Sequence, residues 1–264
     1  MLCTLAMTMG VLLFLTTHDP RLTTAFAETY EARVCVPVAD LRKEPSEPGP
    51  SRDHDPLEES QLLQGDPVRV LEERDGWARV EAVEQQEWTH HQRWEGYPGW
   101  IRLSDLEPTP QSVPGTDLHK SVPGTDLPRV AIVQTARGFI GTPYYWGGRS
   151  LYDPVAKPPP HRGVDCSGLT GLAYQMNGVT IPRDAHEQWM KAREIRRDQL
   201  EPADLVFLSD PKDPKKITHV MLYAGDGQVI EGPGTGEKVR EAALEARIKE
   251  AESSGRRIYC GTYF

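Results

Sequence analysis

Four cysteines and eight histidines are the candidate nucleophiles and bases of this chain. Cys166 is set apart by its neighbours, since HRGVDCSGLTGLAYQMNG, His161 to Gly178, places it between Asp165 and Ser167. Behind it Leu169, Leu172, Ala173 and Met176 fall at the i, i+3, i+4, i+7 spacing of one helix face, and Asn177-Gly178 supplies a stop signal. The spacing predicts a helix that begins near Asp165. Asp165 would be its N-cap and Cys166 would sit in the first turn, where unpaired N–H groups and the positive dipole end favour thiolate over thiol. A thiolate there could attack an acyl carbon. A cysteine is also a small residue well suited to burial, so its partners must decide between the two roles. A nucleophile needs a base within hydrogen-bond reach and a third group to orient that base. His219 opens the strand-like run HVMLYA, where a rigid element could aim its ring. His161, after Pro158-Pro159-Pro160, and His186, at a helix start, compete with it. His18, His54, His90, His91 and His119 lie in other parts of the chain. Adjacent His90 and His91 read as solvated loop residues, and no CxxC pair or Cys/His spacing implies a metal.

Positioning these groups requires a scaffold, and 264 residues with 38% hydrophobic content suit two modest domains. The net charge of −9, without a Lys/Arg run, lacks the footprint of a nucleic-acid binder. At the amino terminus an apolar core from Ala6 to Leu15 precedes Ala25-Phe26-Ala27, which reads as a signal peptide over 1–27, cut after Ala27, and an exported protein. That core is shorter than the ~20 apolar residues of a spanning helix, so no membrane span is expected. Removal of the signal would leave Cys35 and Cys260 either to pair or to lie buried separately. RVCVPV, DPVRVLEE, WARVEAV and GWIRL, separated by turn-rich stretches, predict a small antiparallel barrel over 28–108. SVPGTDLHK followed at once by SVPGTDLPR, one segment written twice, reads as a linker over 109–129. From Val130 onward AIVQTARGFI, the Cys166 helix and AHEQWMKAREI read as helices, and DLVFLS and HVMLYAGDGQVIEG as strands. Helices first and an antiparallel sheet after them give an α+β second domain, 130–264.

Several short motifs then occur together. ADLRKEP, QGDPVRVLEERDGWARV and GYPGWIRLSDL resemble the bacterial SH3-like barrels that accompany cell-wall enzymes. GTPYYWGG, GVDCSG, IPRDAHEQ, LEPADLVFL, THVMLYAGDGQVIE and RRIY resemble, in order, the NlpC-type peptidoglycan peptidases, a papain-like cysteine endopeptidase family. The resemblance implies that Cys166 is the nucleophile, His219 its base and Tyr144 a hydroxyl near the developing oxyanion. The third catalytic position falls on Glu231, where family members most often carry histidine; a carboxylate can hold an imidazole in the same way. A three-residue loop, Gly225-Asp226-Gly227, would place Glu231 opposite Met221 and on the His219 face, whereas a two-residue turn would place it on the other face. The odd loop, with Gly227 at positive φ, is therefore expected. LYDPVAKPPPHR lengthens the stretch between Tyr144 and Cys166 and reads as a cleft wall or a surface loop.

The pairing of SH3-like barrel and peptidase resembles one branch of the family, which cleaves between γ-D-glutamate and an L-diamino acid in stem peptides with a free amino-terminal L-alanine. It implies that Asp184 meets the substrate ammonium and that Tyr97 closes the same pocket, with Asp165 and Ser167 as further substrate-binding residues. Asp184 reads equally as a helix N-cap, and Tyr97 as barrel core. The expected partners are peptidoglycan stem peptides or muropeptide fragments, with no cofactor, since thiol catalysis requires none. A wall-binding protein without activity and an acyltransferase using the same thiol are the alternatives.

Overall fold

The computed structural model describes residues 29–49, 54–109, 127–151 and 163–264. The stretch read as an export signal, with Cys3, most of the duplicated linker and the inserted stretch with His161 lie outside the described residues.

Seven strands build the first unit: β1 (Tyr30–Val34), β2 (Val38–Arg42), β3 (Glu58–Leu63), β4 (Pro67–Arg74), β5 (Trp77–Trp88), β6 (Trp94–Arg102) and β7 (Leu106–Pro108). They pair antiparallel in the order β3-β2-β6-β5-β4-β1-β7. The period-two alternation of Val68 and Val70 in β4, and of Ala78, Val80 and Ala82 in β5, buries one face around Leu41, Leu62 and Ile101. The run RVCVPV is two strands rather than one, because the chain bends at Val36–Pro37 between β1 and β2.

The second unit follows as α1 (Leu127–Arg137), α2 (Cys166–Gln175), α3 (Ala185–Lys191), β8 (Arg193–Ile195), β9 (Leu205–Ser209), β10 (Ile217–Gly225), β11 (Gln228–Glu231), β12 (Arg240–Ala243), α4 (Leu244–Ser253) and β13 (Ile258–Thr262). Its sheet runs β12-β11-β10-β9-β13-β8. The described residues thus form an α+β protein with antiparallel sheets. Both faces of the central strands are covered, which is why LVFLS and HVMLYA read as continuous apolar runs. Leu205, Phe207, Val220 and Leu222 pack with Ile132, Leu169 and Leu172 of α1 and α2, while Val206, Leu208 and Met221 pack with Leu244 and Ile248 of α4.

Three expectations from the sequence need correction. The stretch AHEQWMKAREI is helical only to Lys191, because Arg193–Ile195 pairs with Cys260–Thr262 of β13. Met176 is the C-cap of α2 and is exposed, since the helix turns away there from the layer that covers Leu172 and Ala173. The β10–β11 connection is a two-residue turn, Asp226-Gly227, with both residues at positive φ, as a twist-matched hairpin requires. A bulge between Tyr223 and Gly225 supplies the extra residue instead, so Leu222 still opposes Ile230. Glu231 therefore lies on the His219 face even though the turn is the short one. Among the described residues Cys35, Cys166 and Cys260 are free thiols and form no disulfide; Cys260 is buried, whereas Cys35 is only partly so.

Candidate active site

The helix that carries the thiol starts as its cap residue dictates. Asp165 is the N-cap of α2, in extended backbone, and its Oδ1 accepts from Gly168 N at 2.6 Å. Cys166 follows as the first helical residue, buried at 8% exposure. Oδ2 of Asp165 accepts from Gly147 N at 3.0 Å, which ties the YYWGG loop under the helix start. That approach needs glycine, since a Cβ on Gly168 would lie 2.1 Å from the carbonyl oxygen of Gly148. Arg183 completes the support. It donates to Asp165 Oδ2 at 2.8 Å, to Ser167 Oγ at 3.0 Å and to Ser60 Oγ of β3 at 2.7 Å, and its own side chain is 1% exposed. A side chain from the first unit thus reaches the helix cap through one guanidinium.

His219 stands on β10 just after a bulge, 7% exposed, and borders the same cleft as Cys166. Its Nε2 lies 2.9 Å from Glu231 Oε2, which leaves Nδ1 for Cys166. Burial disfavours the imidazolium, but hydrogen bonds to Cys166 and to Glu231 outweigh it and push the His219 pKa up to about 9. Burial likewise opposes ionisation of Glu231, yet His219, Arg247 and Arg240 outweigh it and hold that carboxyl below the usual carboxylate range. The arrangement is a thiol, an imidazole and a charged carboxylate in line. Tyr144 borders the cleft, and burial, with Cys166 and Asp165 nearby, raises its hydroxyl pKa well above the usual value. It remains a proton donor across the working pH range.

The cleft holds about 570 Å³ and runs from this line to the first unit. At its far end Tyr97 of β6 donates to Asp184 Oδ2 at 3.1 Å, and Glu59 Oε2 lies 3.3 Å from the same hydroxyl oxygen. Asp184 is the N-cap residue of α3, but its side chain makes no capping bond and turns to Tyr97 instead. Burial raises its pKa, Arg183 opposes that rise, and Asp165 adds to it. Tyr97 is also part of the barrel core, while it lines the far end of the cleft. Asp165 and Ser167 border the cleft floor with their side-chain oxygens already bonded within the Arg183 network. His186 lines the same cleft, but its Nδ1 accepts from Ile217 N at 3.2 Å and its ring lies tilted against Trp189.

The structure therefore brings Cys166, His219 and Glu231 together, with Tyr144 beside them, and joins Asp184 to Tyr97 across the two units. Glu59, Arg183, Arg240 and Arg247 have no counterpart in the reading of the sequence. Arg183 stood inside the quoted IPRDAHEQ, whereas Glu59 and the two other arginines reach the site only through strand pairing and a returning helix. Among the described residues no cluster of His, Cys, Asp and Glu has the form of a metal site.

Comparison with known proteins gives the same division. Residues 141–256 match the NlpC/P60 family, and residues 53–106 match the bacterial dipeptidyl-peptidase SH3 domain. A gamma-D-glutamyl-L-lysine dipeptidyl-peptidase of Bacillus subtilis is 28% identical over 245 residues, 74% of this chain and 78% of that protein. One of the same name from Bacillus cereus is 29% identical over 165 residues, 62% of this chain but only 44% of the relative. A crystal structure of an NlpC/P60 family protein from Bacillus cereus superposes with a TM-score of 0.68 at 20% identity, covering 88% of this chain and 99% of the other, and so shares the fold.

Proposed function

We propose that this chain, an NlpC/P60 cysteine peptidase joined to a bacterial SH3-like domain, hydrolyses the bond between γ-D-glutamate and an L-diamino acid in peptidoglycan stem peptides whose amino-terminal L-alanine is free. One observation carries the reading: a single cleft has the thiol–imidazole pair at one end and, at the other, Asp184 and Glu59 gathered around the Tyr97 hydroxyl. Two carboxylates round a phenol suit an ammonium group. A peptide whose amine is acylated would bring a neutral amide against Asp184, displacing water from the carboxylate without returning an ion pair, a strong ground for rejection. The gamma-D-glutamyl-L-lysine dipeptidyl-peptidases to which the chain is similar support the choice of bond. An exported enzyme, on the evidence of the Ala25-Phe26-Ala27 pattern, would meet such fragments at the wall.

Catalysis then runs on this chain's own groups. The Cys166 thiolate attacks the γ-carbonyl carbon, and the carbonyl oxygen takes the negative charge beside the Tyr144 hydroxyl and the N–H groups of the helix start. His219, protonated and held by Glu231, gives its proton to the leaving amine as the C–N bond breaks. The thioester is next opened by water. His219 takes the water proton as water attacks the carbonyl carbon, and the C–S bond then breaks to release the acid product and restore the thiolate–imidazolium pair.

The test is incubation with L-Ala-γ-D-Glu-L-Lys, its diaminopimelate counterpart and their N-acetylated forms, followed by mass spectrometry, with Cys166→Ala as control. Release of free diamino acid from the unblocked peptides alone is the expected result. Equal cleavage of the acetylated forms would refute the amine pocket, transfer to an added amine in place of hydrolysis would make the chain an acyltransferase, and cleavage of neither would make it a wall-binding protein.

A further inference from the structure

The chain of contacts from Cys166 through His219 does not end at Glu231. Oε2 of Glu231 meets His219, while Oε1 meets Arg240 Nε and Nη2 at 3.2 and 3.1 Å and lies 2.8 Å from Arg247 Nε. The Arg247 contact is a close ion pair rather than a linear hydrogen bond, since that N–H is aimed elsewhere. The two arginines come from different elements. Arg240 is the cross-strand partner of Glu231 on β12, and Arg247 projects from α4. The Glu231 side chain has no exposed surface at all, so its charge depends on counter-charges within the protein.

His219 alone cannot provide that counter-charge. In the cycle above, which this inference takes as its basis, the imidazolium surrenders its proton to the leaving amine, and Glu231 would then be a buried anion facing a neutral ring. We propose that Arg240 and Arg247 are positioning residues that keep Glu231 ionised and oriented through both protonation states of His219, and that they moderate its hold on the His219 proton. The carboxylate and the two arginines act as one unit: Glu231 pulls the proton toward the ring, and the arginines weaken that pull enough for the proton to be given away. Other charged groups face this unit. Cys166 and, beyond it, Tyr144 lie on the thiol side; Glu237 pairs with Arg240 at 3.2 Å, Glu250 pairs with Arg247, and Arg256 borders the cavity next to them. The glutamates offset part of the arginine charge, so removing one arginine should move the ring by about one pH unit, the low end for a neighbouring charge.

The sign of that movement provides the test. The upper inflection of the Cys166 alkylation rate with iodoacetamide, and of kcat/KM, marks loss of the imidazolium proton. In the full chain, Arg247→Gln and Arg240→Gln are expected to raise this inflection by about one pH unit each. Glu231→Gln should lower it, and Arg247→Lys should leave it within a few tenths. At neutral pH kcat should fall about tenfold in the Gln variants of either arginine, in step with the tighter proton. If the arginine variants shift the inflection in the same direction as Glu231→Gln, or leave it in place while the protein remains folded by thermal melting, the proposal is overturned. Arg240 is 44% exposed, so its variant tests the proposal even if loss of Arg247 prevents folding. Failure of the underlying catalytic reading looks different: Cys166→Ala or His219→Gln would then retain turnover, whatever the arginines do.

Discussion

Replacing Arg183 by methionine removes one guanidinium that serves both units of the molecule, and the structure allows the cost to be worked out. The side chain is 1% exposed and bonds Asp165, Ser167 and Ser60. Breaking a buried ion pair by deleting one partner costs about 3–5 kcal/mol, because the remaining charge is left uncompensated. Here Asp165 retains three donors, Gly147 N, Gly168 N and Ser167 Oγ, so the low end, about 3 kcal/mol, is the expected value. At roughly 2–4 °C of melting temperature per kcal/mol for a protein of this size, Arg183→Met should melt about 6–12 °C lower. Ser60→Ala, which removes the acceptor of Arg183 Nε and the donor to Gln85 Oε1 while Gln85 keeps its bond to Gln61 O, should cost only about 1 kcal/mol. The N-cap of the thiol helix would loosen with it, so kcat/KM should drop at least about tenfold in Arg183→Met, since small displacements of a nucleophile are expensive. Differential scanning calorimetry and peptide hydrolysis measure both. A Met variant that melts within 2 °C of the parent with unchanged kcat/KM, or a Ser60→Ala variant as damaging as Arg183→Met, would refute the reasoning.

Asp184→Asn should raise KM for the free-amine tripeptide about 30-fold, the equivalent of about 2 kcal/mol for a charged hydrogen bond in a partly open pocket, with kcat nearly unchanged; KM and kcat measured separately decide it. Because the pocket raises the Asp184 pKa, and only the ionised carboxylate attracts an ammonium, KM of the parent protein should climb on acidification at a higher pH than an ordinary aspartate would give, as a KM profile against pH would show. Mass spectrometry after brief iodoacetamide treatment at neutral pH should find Cys166 labelled and Cys260, whose thiol is pushed up to about 11 by burial, untouched. Gly168→Ala should abolish hydrolysis and lower the melting temperature, because its methyl carbon would stand 2.1 Å from Gly148 O and the loop or the helix must move; a folded variant with parental kcat/KM would contradict this.

Local signals made the thiol helix readable. A cap residue, a periodic apolar face and a stop signal all act within a few residues of Cys166, and they agree with one another. The strand face of Glu231 was also inferable from sequence, though by a different route from the one the chain takes. A period-two argument counts residues and cannot distinguish a longer loop from a short turn with a bulge, since each adds one residue to the hairpin. The end of α3 was not readable, because Arg193–Ile195 has helix-forming neighbours and becomes a strand only when β13 lies beside it. β3 was hidden for another reason. EESQLL has no apolar alternation, since Ser60 and Gln61 bond Gln85 within the barrel and Arg183, Arg149 and Ser150 across the contact between the units. A polar strand that serves an interface resembles a loop until its partner is present. Arg240 and Arg247 belong to the same class, since their meeting with Glu231 depends on β12 pairing and on α4 folding back over the sheet.

Tyr97 and Glu59 belong to a unit that holds none of the reacting atoms, and this splits the inheritance of the two tasks. Drift in the stretch from Glu58 to Tyr97 could retune which fragments are admitted while the sulfur and its ring stay as they are, so diet and chemistry can evolve on separate clocks. Under the proposed function the reverse also holds: a fragment trimmed to residues 127–264 would hold the sulfur and its ring but lose the gauge against which a peptide's length is measured.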